Sequence, residues 1–297
     1  MKVGLLVPNL GPLATGPGSV DVVTTIAMKA EELGYDALWV ADHVIMPMHI
    51  ESRYPYNDTG EFPANPADGF LEPLSLLGYL AGATKRVRLG TWVLVLPHRN
   101  PIVTAKMFAT LDVLSRGRMM LGAGIGWMEE EISLLGAPFK KRGRLSDEYL
   151  QAMRELWTNP DPQFDGEFCK FSDIKCEPKP VQNPLPVWIG GHSARAMRRV
   201  VEHGDGWVAV AKSYDGFKEG VEMIRVAADK AGRDMSSIKI LVAPAYTTSV
   251  DTFIEETKRY QDLGYDSFLA PLPLWSDKLE EGVGFMEDFA QKVTLEP

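Results

Sequence analysis

Along the chain, short runs that are apolar throughout alternate with longer stretches in which apolar residues recur every three or four positions. The short runs are residues 2–7, 36–40, 87–95, 119–121, 186–189, 206–210, 238–243 and 267–270. A run of this kind predicts a strand covered on both faces, as strands of parallel sheets are. The stretches with helical spacing are residues 20–33, 73–83, 101–114, 128–135, 145–157, 194–203, 217–231, 252–263 and 279–293. Gly34, Gly232 and Gly264 stand where helix C-caps are expected, and Pro101 stands where a helix can open without losing a bond. Periodicity gives residues 20–33 a core face of Val23, Ile26, Ala27, Ala30 and Leu33. It gives residues 101–114 a core face of Val103, Met107, Leu111 and Leu114.

Eight strand–helix units in succession predict an α/β fold, a (β/α)8 TIM barrel, with residues 1–297 as one domain. No linker-like stretch divides it. Two segments interrupt the rhythm and are expected as insertions, 44–72 and 159–185. The first carries Pro47, Pro55, Pro63 and Pro66 with Tyr54, Tyr56, Phe62 and Phe70. Long loops in compact domains are functional or disordered, and the aromatics predict a packed lid.

Composition narrows the field of partners. At a formal charge of −9, with 45% apolar and 24% charged residues, the chain reads as an ordinary enzyme-like domain. Nucleic acid and anionic membrane are not expected partners. Cys169 and Cys176 are too few for a disulfide framework and read as free thiols of a reducing compartment. The N-terminal stretch is too short for a signal peptide, and no apolar run reaches the ~18 residues of a membrane span. The expected location is the cytoplasm.

Candidate chemistry collects at predicted strand ends, where parallel barrels bind ligands. Asp42-His43 follows the second strand: the imidazole serves as acid, base or donor, or the aspartate orients a structural histidine. Gly122-Ala123-Gly124-Ile125-Gly126-Trp127 lacks the spacing of a dinucleotide fingerprint; its glycines admit either a flat ligand or a closely packed helix. Gly190-Gly191-His192-Ser193 opens directly into a helix, which makes it an anion site suited to phosphate, or a simple cap. Trp92, Trp127 and Trp188 are walls for a planar cofactor or core residues. Glu129-Glu130-Glu131 reads as a solvated first helical turn, one of the three facing the pocket at most. His49, His98, His192 and His203 show no metal-ligand spacing.

Taken together, several segments resemble the luciferase-like monooxygenase superfamily. They are Ala41-Asp42-His43, Gly90-Thr91-Trp92-Val93, Asn100-Pro101, Leu114-Ser115-Arg116-Gly117-Arg118, Gly122 to Trp127, Pro178-Lys179-Pro180, Pro186 to Gly191 and Gly204-Asp205-Gly206-Trp207. Within that superfamily the chain is most similar to the coenzyme F420-dependent oxidoreductases, over residues 3–271. The resemblance implies a dimeric barrel that takes a deazaflavin, or alternatively FMN, at its C-terminal mouth. It implies a bulge at Trp92-Val93, often with a non-proline cis peptide, behind the ring. It implies Asp42 beside the ring, His43 near the reacting face, Gly124 and Trp127 on the pocket border, and Gly190, Gly191, His192 and Ser193 around the phosphate. The expected reaction is hydride transfer between F420 and a small organic substrate. The alternatives are an FMN-dependent monooxygenase fed by a partner flavin reductase, and a non-catalytic flavin-binding protein. F420-dependent sugar-phosphate dehydrogenases carry Glu where this chain has Trp127, so the acid–base role passes to His43.

Overall fold

The computed structural model describes residues 1–296 apart from 66, 211–212, 245–246, 248, 271 and 273–277. Pro66, Pro271 and Pro297, which bound or mark features of the sequence reading, lie outside the described residues. Eight parallel strands close into a barrel: β1 (Lys2–Leu6), β2 (Ala37–Val40), β3, β4 (Met119–Gly124), β5 (Val187–Gly190), β6 (Gly206–Val210), β7 (Lys239–Ala243) and β8 (Ser267–Ala270). β3 is split into Arg88–Thr91 and Leu94–Val95 by a cis peptide bond between Trp92 and Val93. Both halves pair with β4, Leu89 against Met119 and Leu94 against Ala123. β1 pairs with β2 on one side and β8 on the other, which completes the ring.

Helices α1 (Ser19–Leu33), α2 (Pro73–Ala83), α3 (Pro101–Ser115), α4 (Glu129–Leu134), α5 (Arg142–Thr158), α6 (Ala194–His203), α7 (Tyr214–Ala231), α8 (Val250–Gln261) and α9 (Leu279–Lys292) surround the strands. Gly34 and Gly232 cap α1 and α7 in the left-handed conformation, as their positions predict. The second insertion contains a small antiparallel hairpin, Phe164–Asp165 against Lys170–Phe171, that no sequence pattern announces. Cys169 and Cys176 are both buried and unbonded to each other. Among the described residues no helix is long and apolar enough to cross a membrane.

Strand alternation divides the interior into two cores. Ala37 and Trp39 of β2 point into the bore with Met120, Trp188, Val208, Leu241 and Leu269. Their neighbours Leu38, Val40, Leu121, Val187 and Ile189 point outward against the helices. Trp39 is the plug of the bore. Its indole meets Trp92 and Trp188 edge-on, at 6.4 and 6.2 Å between centroids. Glycines on neighbouring strands make the room: a Cβ on Gly4 would lie 2.5 Å from Trp39 Nε1, and one on Gly90 2.6 Å from its ring.

The face of α3 differs from the periodic expectation. Val103 and Leu114 are exposed, and Thr104, Ala105, Phe108, Ala109, Leu111, Asp112 and Ser115 are buried. The helix is wedged between the barrel and α5, whose Trp157 indole donates to the Ala105 carbonyl at 2.9 Å, so its inner face runs along Thr104, Ala105, Phe108, Leu111 and Asp112 and not along Val103 and Leu114. Asp112 is covered because its carboxylate accepts from Met119 N and from the backbone and side chain of Gln182, which ties the second insertion to the barrel.

Candidate active site

The C-terminal ends of the strands open into a cavity of about 810 Å³. Asp42 and His43 after β2, Trp92 and Val93 between the halves of β3, Gly124 at the end of β4 and Trp127 beyond it, and Gly190 to Ser193 from the last residue of β5 onward all border it. The structure therefore brings these candidates from four strand ends around one space, whereas Gly122 does not line it. Trp188 is the exception among the three tryptophans singled out: it lies below, in the bore.

The first insertion folds over this space as a packed aromatic lid. Tyr54 and Phe62 lie 5.2 and 5.4 Å from the Trp127 ring, and Phe62 and Phe70 lie 5.1 and 5.2 Å from the His43 ring. Tyr56 reaches across to His192 at 6.1 Å. Burial pushes the Tyr54 hydroxyl up to about 12, so it stays neutral and able to donate. At the lid's base, Asn9 is buried and its amide donates to the carbonyls of Ala41 and Leu71, closing the two ends of the insertion together.

His43 is held by a carboxylate. Its Nδ1 lies 2.7 Å from Glu131 Oε2, and Glu131 is buried on α4 with no exposed surface. The other oxygen of Glu131 accepts from the backbone N–H groups of Val44 and Ile45, at 2.7 and 3.2 Å. Burial alone would raise the Glu131 pKa; the bond from His43, the neighbouring imidazoles and the Val44 amide outweigh it, and the carboxyl lies below its ordinary range. With Nδ1 so engaged, Nε2 is the ring nitrogen left for a ligand. Of the three glutamates read as a solvated first turn with one facing the pocket, Glu131 is the one at the pocket, and it is buried, not solvated. Only Glu129 is exposed; Glu130 Oε1 accepts from the amides of Glu51 and Ser52 in the lid.

Asp42 is turned away from solvent and fully engaged. Its carboxylate takes both Arg99 Nη atoms at 2.8 Å and the Val95 amide at 2.8 Å. Arg99 goes on to Glu72, which caps α2 through the Ser75 amide. Asp42 therefore anchors the second half of β3, immediately after the cis peptide that forms the cavity wall. His98 stands between Asp42 and Glu131 at the bottom of the site.

The glycines at the strand ends divide in their roles. A Cβ on Gly122 would lie 1.9 Å from the Thr91 carbonyl oxygen, and one on Gly124 2.4 Å from Val93 Cγ2. Gly126, at φ +74°, is crowded by Val95 and Ile132. That run admits close packing, the second of the two possibilities its spacing left open. Gly191 adopts φ +107°, with Ala196 3.0 Å from where its Cβ would be. Ser193 caps α6 by accepting the Ala196 N–H, so capping holds here.

Glu131, His98, Arg99 and Asn9 are the site residues that sequence reading did not single out. Only Glu131 had a local sign, its place in the first turn after a glycine-rich strand end.

A model of the family described as luciferase-like monooxygenase matches residues 1–293. An uncharacterized protein of Mycobacterium tuberculosis is 31% identical over 268 residues, which is 90% of this chain and 92% of that one. The F420-dependent glucose-6-phosphate dehydrogenase of Amycolatopsis mediterranei is 31% identical over 85% of this chain and 70% of its own. The crystal structure of monooxygenase RslO1 from Streptomyces bottropensis superposes with a TM-score of 0.75 at 19% identity, over 98% of both chains, and so shares the fold. The chain belongs to the luciferase-like monooxygenase family.

Proposed function

We propose that this chain is an F420-dependent oxidoreductase in which residues 1–297 act as one barrel domain, hydride passing between the cofactor and a small organic substrate. The observation that carries the reading is the His43–Glu131 pair at the cavity. A carboxylate on Nδ1 fixes the tautomer and stabilises the imidazolium, which leaves Nε2 to take or give the proton that accompanies a hydride. The cavity has the volume of a large-ligand site. Its lining also suits the cofactor: Gly191, whose positive φ disfavours a side chain, brings the loop main chain to the cavity beside the N-terminus of α6, where an anion is favoured. On this reading Gly190, Gly191, His192 and Ser193 hold the phosphate, and Asp42, Trp92, Val93, Gly124 and Trp127 border the ring. When bound, the deazaflavin supplies a ring carbon that accepts or donates hydride. The lid aromatics exclude water, which strengthens the pull of Glu131 on His43.

The similarity to an F420-dependent dehydrogenase supports the choice of cofactor. Trp127, in place of the acid of sugar-phosphate enzymes, directs the search to other substrates. The second reading is an FMN-dependent monooxygenase supplied with reduced flavin by a partner reductase, and the family's description favours it. We further read the chain as a cytoplasmic homodimer, an expectation from cysteine usage and resemblance. A third reading, a flavin-binding protein without turnover, is separated by His43→Ala, which then leaves function intact.

The test is a paired titration of the purified protein with F420 and with FMN, followed by ligand fluorescence. F420 binding with negligible FMN binding supports the proposal, and the reverse sinks it in favour of oxygen chemistry. Gly191→Ala should weaken binding of whichever cofactor is held. His43→Ala should leave that affinity within a few fold while turnover is lost.

A further inference from the structure

Behind His43 lies a second imidazole that the proposed reaction does not use. The His98 side chain is 1% exposed and stands between two carboxylates, Nε2 3.7 Å from Glu131 Oε2 and Nδ1 3.8 Å from Asp42 Oδ2. Both gaps exceed a hydrogen bond, and Nδ1 has no hydrogen-bond partner among the described residues. A buried ring nitrogen left unpaired is costly, so its retention calls for a reason.

The two carboxylates are not equivalent. Asp42 already accepts two bonds from Arg99 and one from the Val95 amide. Glu131 Oε1 is taken up by two lid-root amides, whereas among the described residues Oε2 accepts only from His43 Nδ1. A carboxylate oxygen has room for a second donor. Oε2 is also the oxygen that faces His98. Two imidazoles therefore address one oxygen atom, one bonded and one held back.

We propose that His98 is a positioning residue for His43: neutral, it stands off and leaves the Glu131 charge to His43; protonated, it closes on Glu131 Oε2 and competes for it. The groups that face His98 are Asp42 from the end of β2, the adjacent Arg99, Glu131 from α4, and His43 itself. Burial lowers the His98 pKa most; Glu131 and Asp42 oppose this and Arg99 and His43 reinforce it, so the ring titrates below its ordinary 6.5. At neutral pH the ring stands off, and acid below its lowered pKa brings it in. The inference rests on the proposed role of His43 only for its use in the reaction. The coupling of the rings is a property of the chain without cofactor.

The experiment is a pH titration of the cofactor-free protein labelled with ¹⁵N-histidine, reading imidazole nitrogen shifts from pH 8 to 5. With five histidines, single His→Gln variants assign the signals. The expected result is that His98 is neutral at pH 7, and that the His43 nitrogens show an added inflection at the pH where His98 titrates. In His98→Gln, which keeps size and polarity, that inflection disappears. Should His98→Gln not fold, Glu131→Gln removes the shared charge and must abolish the same inflection. Identical His43 curves in the wild type and the variant, or a cationic His98 at pH 7, overturn the proposal. The readout involves no cofactor, so a failure of the F420 reading leaves it standing, and the converse also holds.

Discussion

His43 Nδ1 and Glu131 Oε2 lie 2.7 Å apart although 88 residues separate them in the chain. One side chain enters from the end of β2 and the other from a helix of six residues after β4, so the contact exists only once the barrel has closed. Glu131→Ala removes acceptors from His43, Val44 and Ile45 together and leaves buried donors unpaired. The expected loss of stability is about 3 kcal/mol. Urea unfolding at pH 7 measures it, and the double variant with His43→Ala should lose less than the sum of the two single losses. Strict additivity would mean that the pair carries no coupling.

Acid should weaken the fold in two stages. His98 and His203 both titrate below 6.5 in the folded protein, chiefly because burial disfavours their charged forms. The unfolded chain then binds protons that the folded one refuses, so stability declines as pH drops below about 6.5. The second stage belongs to the carboxylates. Burial pushes Glu31 and Glu131 up, but the backbone amides at Glu31 and the His43 bond at Glu131 bring both below 4.5. Their contribution is complete above 4.5 and is lost as pH falls through the depressed folded values. Unfolding midpoints between pH 8 and 3 should trace both stages, with the first shallower in His98→Gln.

Thr91 carries the junction at which β3 is interrupted. Its hydroxyl donates to the Gly122 carbonyl at 2.7 Å and accepts the Gly122 N–H at 3.1 Å, all buried. Thr91→Val keeps the shape and leaves both Gly122 groups unpaired. Stability should fall by about 1–3 kcal/mol. Cofactor affinity should fall with it, because the wall at Trp92-Val93 loses its support. A variant as stable as the wild type would show the junction to be held by other contacts.

Lid anchoring can be separated from the fold. Glu130 binds the Glu51 and Ser52 amides, and Ser52 Oγ in turn accepts the Glu129 N–H. Glu130→Ala should cost under about 1 kcal/mol of global stability, since its partners are near the surface. It should expose residues 46–61 to limited proteolysis several-fold faster than in the wild type. Mapping the cut sites by mass spectrometry checks this, and unchanged protection would mean that the aromatic contacts suffice.

The barrel was legible in the sequence because its signals are local: strand runs apolar on both faces, glycine caps, and Asn100-Pro101 opening α3. The strand-end candidates were legible for the same reason, since topology alone sends such positions to one mouth. What escaped depends on distant partners. Nothing in three consecutive glutamates says which one will be buried, because that is decided by His43 and the lid root. Periodicity misjudged α3 because that helix has apolar residues on more than one side, and only its seat against the barrel and α5 decides that Ala105, Phe108 and Leu111 face inward. His98 carries no neighbouring motif; its meaning comes from Asp42 and Glu131 closing around it.

The attachments between α4 and the lid have an evolutionary consequence. Glu131 grips Val44 and Ile45, and Glu130 grips Glu51 and Ser52, through main-chain amides. Those handles are present whatever residues, proline excepted, occupy the four positions. The lid's side chains are thereby free to vary while the main-chain attachments that seat the lid, and the imidazole fastened to the same carboxylate, stay in place.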